Sequence, residues 1–231
     1  MLTLEGAEIA QGGFRLTAEL SVPEAARVAV MGPSGAGKST LLGAIAGFLP
    51  LTRGRILWQG QRIDTLAPAA RPLSILFQDH NLFPHLSLFD NVALGLDPSL
   101  RLSPAQRQAV LTALEETGLS GLEDRKPAQL SGGQIGRAGL ARVLLRARPL
   151  ILLDEPFAAL GPALKRQMLT LVGRIAGETG ATLLMITHDP EDARMLCDLT
   201  LVVAEGQASP PAPTEALLAD PPPALAAYLG T

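Results

Sequence analysis

Between an apolar run, Arg27–Met31 (RVAVM), and a helical stretch from about Lys38 to Gly47 lie eight residues: Gly32, Pro33, Ser34, Gly35, Ala36, Gly37, Lys38 and Ser39. A buried strand, a glycine turn and a helix in that order leave the backbone few choices. Successive amides curl around one point, at the positive end of a helix dipole. The segment matches the pattern G-x-x-x-x-G-K-[ST], and such a loop fits a chain of phosphates. Lys38 is placed to reach the β- and γ-phosphates and the Ser39 hydroxyl to ligate Mg²⁺, with Thr40 completing the nucleotide-binding stretch. An ordinary glycine-rich turn with an incidental lysine is the plainer alternative, and the flanking strand and helix weigh against it.

Two further apolar runs suit a central parallel sheet, Leu150–Leu153 (LILL) and Thr182–Ile186 (TLLMI). The first ends in Asp154 and Glu155, and side chains at strand ends in an open α/β sheet face the ligand crevice. Asp154 is placed to hold Mg²⁺ through water and Glu155 to polarise the attacking water; capping of the next helix is the competing explanation. Gly161 and Pro162 open a helix whose stripe is Leu164, Met168, Leu171, Val172 and Ile175. Leu2–Leu4, Phe14–Val22 and Arg55–Gln59 read as strands without intervening helices, hence a small antiparallel sheet. From Ser87 to about Arg146 the pattern is helical, with Ser103-Pro104 and Ser131 opening helices. The expected fold class is α/β: one domain, with a core from 1–78 and 148–231 and an inserted helical subdomain at 79–147. Prolines punctuate a tail of short helices.

Of the 231 residues 47% are hydrophobic and 18% charged, which favours a sizeable core. A net charge of -3 gives no basic footprint for nucleic acid. Cys197 is the single cysteine, so a reducing compartment is expected. The charge-free run between Lys38 and Arg53 is shorter than the roughly 20 apolar residues that cross a bilayer, and the first residues lack the pattern of a signal peptide. If the chain serves a membrane, another chain is expected to span it.

Leu130, Ser131, Gly132, Gly133 and Gln134 read LSGGQ. Taken alone, this is a serine-capped helix start and a second anion site of exposed amides and a hydroxyl. LSGGQ together with the phosphate loop, Gln78, Asp154-Glu155 and His188, in that order, resembles the ATPase subunits of ABC (ATP-binding cassette) transporters. The resemblance implies a P-loop NTPase (RecA-like) core, an ATP- and Mg²⁺-dependent hydrolase, and a head-to-tail homodimer. In that dimer Ser131 and Gly133 meet the γ-phosphate of the opposite subunit, with Gly132 and Gln134 in the same signature. It also implies that His188 holds the γ-phosphate and the water, and that Gln78 senses Mg²⁺. The implied partners are an integral membrane permease and, indirectly, a periplasmic substrate-binding protein, at the cytoplasmic face of a bacterial inner membrane. Within the family, Arg71–Leu96 is most similar to the thiamine-importer branch; iron, sulfate, molybdate and polyamine importers are related but less close.

Three features depart from the family pattern. Ala158-Ala159-Leu160-Gly161 ends in Gly where the family has Asp, which puts coupling between the two sites in doubt. No aromatic occurs near Ile9 to stack on adenine, and Phe14 is expected to pack within its strand. Ile135-Gly136-Arg137 stands where long polar side chains are usual, and Gly136 and Gly139 each cost a helix about 1 kcal/mol relative to Ala. Phe77, Leu82, Phe83, Leu86 and Phe89 form an apolar cluster, readable equally as subdomain core or as a groove for the membrane subunit. His80 and His85 are expected on the surface, and Trp58 in packing. Two other function classes stay open: a soluble cassette ATPase of DNA repair or translation, and a nucleotide-binding regulator with little hydrolysis.

Overall fold

Alternating apolar residues build the first sheet. In the computed structural model, which describes residues 1–78 and 82–230, β1 (Leu2–Gln11) and β2 (Phe14–Val22) pair antiparallel. Leu2, Leu4, Ala7 and Ile9 from one strand and Leu16, Ala18, Leu20 and Val22 from the other are buried. The first strand runs past the expected Leu4 because a register shift between Leu4 and Ala7 absorbs Gly6. Next come β3 (Arg27–Met31), α1 (Lys38–Ala46), β4 (Arg53–Trp58), β5 (Gln61–Arg62) and β6 (Leu73–Leu76). Trp58 is buried on β4, which pairs with β1.

Three helices follow: α2 (Leu88–Ala93), α3 (Pro104–Glu116) and α4 (Gly132–Leu145). They enclose a core of their own that includes Leu88, Val92, Val110, Leu114 and Ala138. Gly136 and Gly139 are both buried on α4. The chain then re-enters the sheet through β7 (Leu150–Asp154), α5 (Pro162–Thr179), β8 (Thr182–Ile186), α6 (Pro190–Leu196) and β9 (Leu199–Ala204). It ends in β10 (Gln207–Ala208), β11 (Ala212–Pro213), α7 (Thr214–Ala219) and α8 (Pro223–Leu229). The tail expected to be only short helices therefore also carries strands.

The parallel strands stand in the order β9-β3-β8-β7-β6, and β10 joins them to the antiparallel strands by pairing with β9 and β2. Every residue of β7 and β8 is buried, because helices cover both faces of this sheet. The ends of β3, β7 and β8 lie side by side, since β3 pairs with β8 and β8 with β7. The topology thus brings the glycine loop, Asp154-Glu155 and His188 to one edge.

A buried arginine anchors the helix that follows the glycine loop. Arg71 is 4% exposed and donates to Ala44 O at 2.8 Å and Ile45 O at 2.7 Å, carbonyls near the end of α1 of which Ala44 O also accepts from Gly47 N. It also donates to Leu66 O at 3.1 Å and Asp64 O at 3.0 Å. Losing it removes the donors to four carbonyls at once. Arg71→Ala is expected to lower stability by about 3 kcal/mol, read as a fall in the thermal midpoint; an unchanged midpoint would show that α1 does not depend on this anchor.

Candidate nucleotide site

The glycine loop is shaped by close backbone approach. Gly32 has φ +144°, and a Cβ there would lie 2.0 Å from Val203 O on β9, so no other residue fits without displacing that strand. Gly37, at φ 103°, caps α1. A Cβ on Gly37 would lie 2.7 Å from Phe14 Cζ. Phe14 therefore does more than pack within its strand: its half-buried ring closes over the loop at the start of the helix.

Lys38 is 6% exposed, and its ammonium donates to Gly32 O at 2.7 Å and Pro33 O at 2.8 Å. Burial lowers its pKa, against the opposing pull of the Glu155 and Asp154 carboxylates. Asp154 is 4% exposed and closes β7. Burial raises its carboxyl above the usual range, while a hydrogen bond from Ser39 and the charge of Lys38 work the other way. Asp154 Oδ1 is buried with no hydrogen-bond partner among the described residues. The hydroxyl, amide and carboxylate oxygens of Ser39, Gln78 and Asp154 are hard donors of the kind Mg²⁺ takes alongside substrate phosphates. An unpaired buried oxygen beside a hydroxyl fits such a cation.

Glu155 turns out of the sheet with φ 49°, a left-handed conformation uncommon for a residue with a side chain. Its amide donates to Ile186 O at 3.2 Å, fixing the turn against β8. The strand β8 stops at Ile186, so His188 lies beyond it, and its Nε2 meets Glu155 Oε1. Glu155 and His188 border a cleft of about 180 Å³ with Thr187, Lys165, Asp189 and Asp192. Lys165 on α5 bonds Asp189 Oδ2 at 2.5 Å and Asp192 Oδ1 at 2.8 Å. This clamp ties the helix after Glu155 to the turn after His188. The Lys165 hydrogen bond is the main cause holding Asp189 below the ordinary carboxylate range. Sequence reasoning missed Lys165, since its partners lie 24 and 27 positions away.

The LSGGQ serine caps α4. Ser131 Oγ accepts from Gln134 N at 3.3 Å and Ser131 N donates to Gln134 Oε1 at 2.8 Å. Ser131 and Gly132 are exposed. A Cβ at Gly133 would lie 3.2 Å from Leu160 Cδ2 and 3.4 Å from Ala159 O, so the signature abuts the loop that leaves Glu155. Gly161 still starts α5 without a side-chain cap. Arg137, one turn on, donates to Thr117 O at 2.6 Å and Gly118 O at 2.8 Å, bracing α4 against the end of α3.

Gln78 follows β6 and is exposed. The apolar cluster beside it divides. Leu82 and Phe89 pack on the helical core, whereas Phe83 is 47% exposed. Phe77 meets the exposed Phe48 edge-on, with ring centroids 5.0 Å apart. His85 is exposed, and His80 lies outside the described residues.

Known proteins resemble this chain in sequence and fold. Residues 17–158 match the family described as ABC transporter. The thiamine import ATP-binding protein ThiQ of Cereibacter sphaeroides is 61% identical over 230 residues, covering 100% of both chains. The protein of that name from Yersinia pestis is 46% identical over 218 residues, 94% of this chain and 92% of its own. Among solved structures, the ATP-binding cassette MJ0796, as a dimer in a post-hydrolysis state bound to ADP and Pi, superposes with a TM-score of 0.83 at 29% identity. That match covers 93% of this chain and 99% of the other. The glycine loop, the two carboxylates, the signature helix and these full-length likenesses agree: the chain belongs to the ABC transporter ATPase family.

Proposed function

We propose that this chain is the ATP-hydrolysing subunit of a bacterial thiamine importer. The observation that carries the chemistry is the convergence of Lys38, Asp154, Glu155 and His188 at one sheet edge, beside amides shaped for phosphate. The substrate rests on the relatives of 61% and 58% identity, both named as thiamine import ATP-binding proteins and matched over their whole length.

ATP lies with its β- and γ-phosphates in the loop from Gly32 to Thr40, and Lys38 exchanges its two carbonyl acceptors for phosphate oxygens. Ser39, Gln78 and Asp154 would hold Mg²⁺, which would supply positive charge against the negative charge of the phosphates. Glu155 accepts a proton from the attacking water and His188 orients the water and the γ-phosphate. Ser131 to Gln134 of a second copy complete the enclosure. The dimeric state of MJ0796 and the exposure of Ser131 and Gly132 support that arrangement. A two-fold interface then holds two ATP molecules, and their preference for the closed dimer moves the partner. Among the described residues no helix is long and apolar enough to cross a membrane, so a permease does the spanning. Gln78 and the exposed Phe83 and Phe48 lie where that permease docks. A periplasmic binding protein delivers substrate to the permease, and the chain works at the cytoplasmic face of the inner membrane.

Three outcomes are expected. Glu155→Gln lowers turnover by about a hundredfold to ten-thousandfold while ATP binding persists and the dimer accumulates; a wild-type phosphate-release rate would remove Glu155 as the base. Lys38→Ala weakens nucleotide affinity by about tenfold to a hundredfold, measured by calorimetry, and undiminished binding would contradict the phosphate cradle. In bacteria lacking their own thiamine importer ATPase, this chain with its permease restores uptake of labelled thiamine and the Glu155→Gln chain does not. Uptake restored equally by both would break the link between hydrolysis and transport.

A further inference from the structure

His188 presents its ring between two partners, of which only Glu155 belongs to the hydrolytic group described above. Its Nδ1 lies 2.6 Å from the hydroxyl of Tyr228. Tyr228 belongs to α8, the last helix, and packs against the core around β7, β8 and α5, where Leu225 of the same helix is fully buried. The two rings are tilted by 52° with centroids 6.2 Å apart, so the contact is a hydrogen bond at the ring edge rather than a stack. The imidazole is 39% exposed.

The direction of each bond follows from the groups. An ionised Glu155 only accepts, so the Nε2 that meets it carries the proton. In the neutral ring Nδ1 is then the bare nitrogen, and the phenol is its donor. Burial, and after it the charge of Glu155, raise the Tyr228 pKa, so the phenol keeps the proton it donates. Which imidazole nitrogen carries hydrogen is set by the bond the other one makes.

We propose that Tyr228 is a positioning residue for ATP hydrolysis: its hydroxyl donates to His188 Nδ1 and holds the neutral ring in the tautomer whose Nε2–H faces Glu155 and the γ-phosphate. This rests on the hydrolytic role proposed for His188. It makes the end of the chain part of the active site: α8 docks on the core and sets the side chain that reads the γ-phosphate.

The test compares the full chain with Tyr228→Phe, His188→Ala and the double variant. Phenylalanine keeps the ring in its packing, so the thermal midpoint is expected to hold. Turnover falls about threefold to tenfold with KM for ATP unchanged, and the double variant is no slower than His188→Ala. Imidazole ¹⁵N spectra, with the His188 signals assigned by their loss in His188→Ala, show a bare Nδ1 and a protonated Nε2 in the wild type, and a mixture of tautomers in Tyr228→Phe. A protonated Nδ1 in the wild type, wild-type turnover in Tyr228→Phe, or an equal further loss in the His188→Ala background would each overturn the proposal. Full turnover in His188→Ala removes the role of His188 and that of Tyr228 with it. A slow His188→Ala beside a wild-type Tyr228→Phe removes Tyr228 alone.

Discussion

The site is organised around one buried cation. Taking the Lys38 ammonium out of water costs several kcal/mol before any partner is counted, and two kinds of partner offset that cost. The carbonyls of Gly32 and Pro33 take its hydrogens, while the carboxylates of Asp154 and Glu155 supply opposite charge. Lys38 therefore shapes its own loop before any nucleotide arrives. A phosphate oxygen carries negative charge where a carbonyl oxygen carries only a partial one, so it is the stronger acceptor for an ammonium. In the binding mode proposed above, nucleotide exchanges the weaker bonds for the stronger.

The other groups gather there because of how the sheet is wound. Parallel strands bury both faces, and polar side chains find room only at their ends. Asp154 ends β7 and His188 follows β8, its neighbour. Lys165 then closes the outer side by pairing with Asp189 and Asp192, so α5 is tied to the turn after His188. The helical subdomain has a separate core and meets the loop after Glu155 beside Gly133. That approach joins the turn after the two carboxylates to the start of α4.

Local patterns made much of this legible. The glycine loop, the LILLDE run and the LSGGQ capping box are each contained in a few residues, and spacing alone carries them. Contacts between distant parts of the chain were hidden. Phe14 closes on Gly37 from 23 positions away, and nothing in the alternation of β2 distinguishes that ring from a packing residue. Tyr228 and His188 are 40 positions apart, and a tyrosine in a proline-rich tail carries no local mark of function. Arg71 carries no local mark of its role, because the carbonyls it serves belong to a helix end more than 20 residues earlier. The extension of β1 was concealed by Gly6, which breaks the alternation in sequence and is absorbed as a bulge in the sheet. The apolar cluster near Gln78 divided between core and surface, a partition that composition cannot express.

The backbone of Glu155 has a consequence for anyone improving this protein in the laboratory. A residue with a side chain held at φ 49° sits about 1–2 kcal/mol above its relaxed state, and glycine is the one residue that escapes this penalty. On the role proposed above for Glu155, a library screened for heat resistance alone enriches glycine at this position and returns robust cassettes that no longer turn over. Screening for durability therefore has to be coupled to phosphate release in every round, or the carboxylate will be lost.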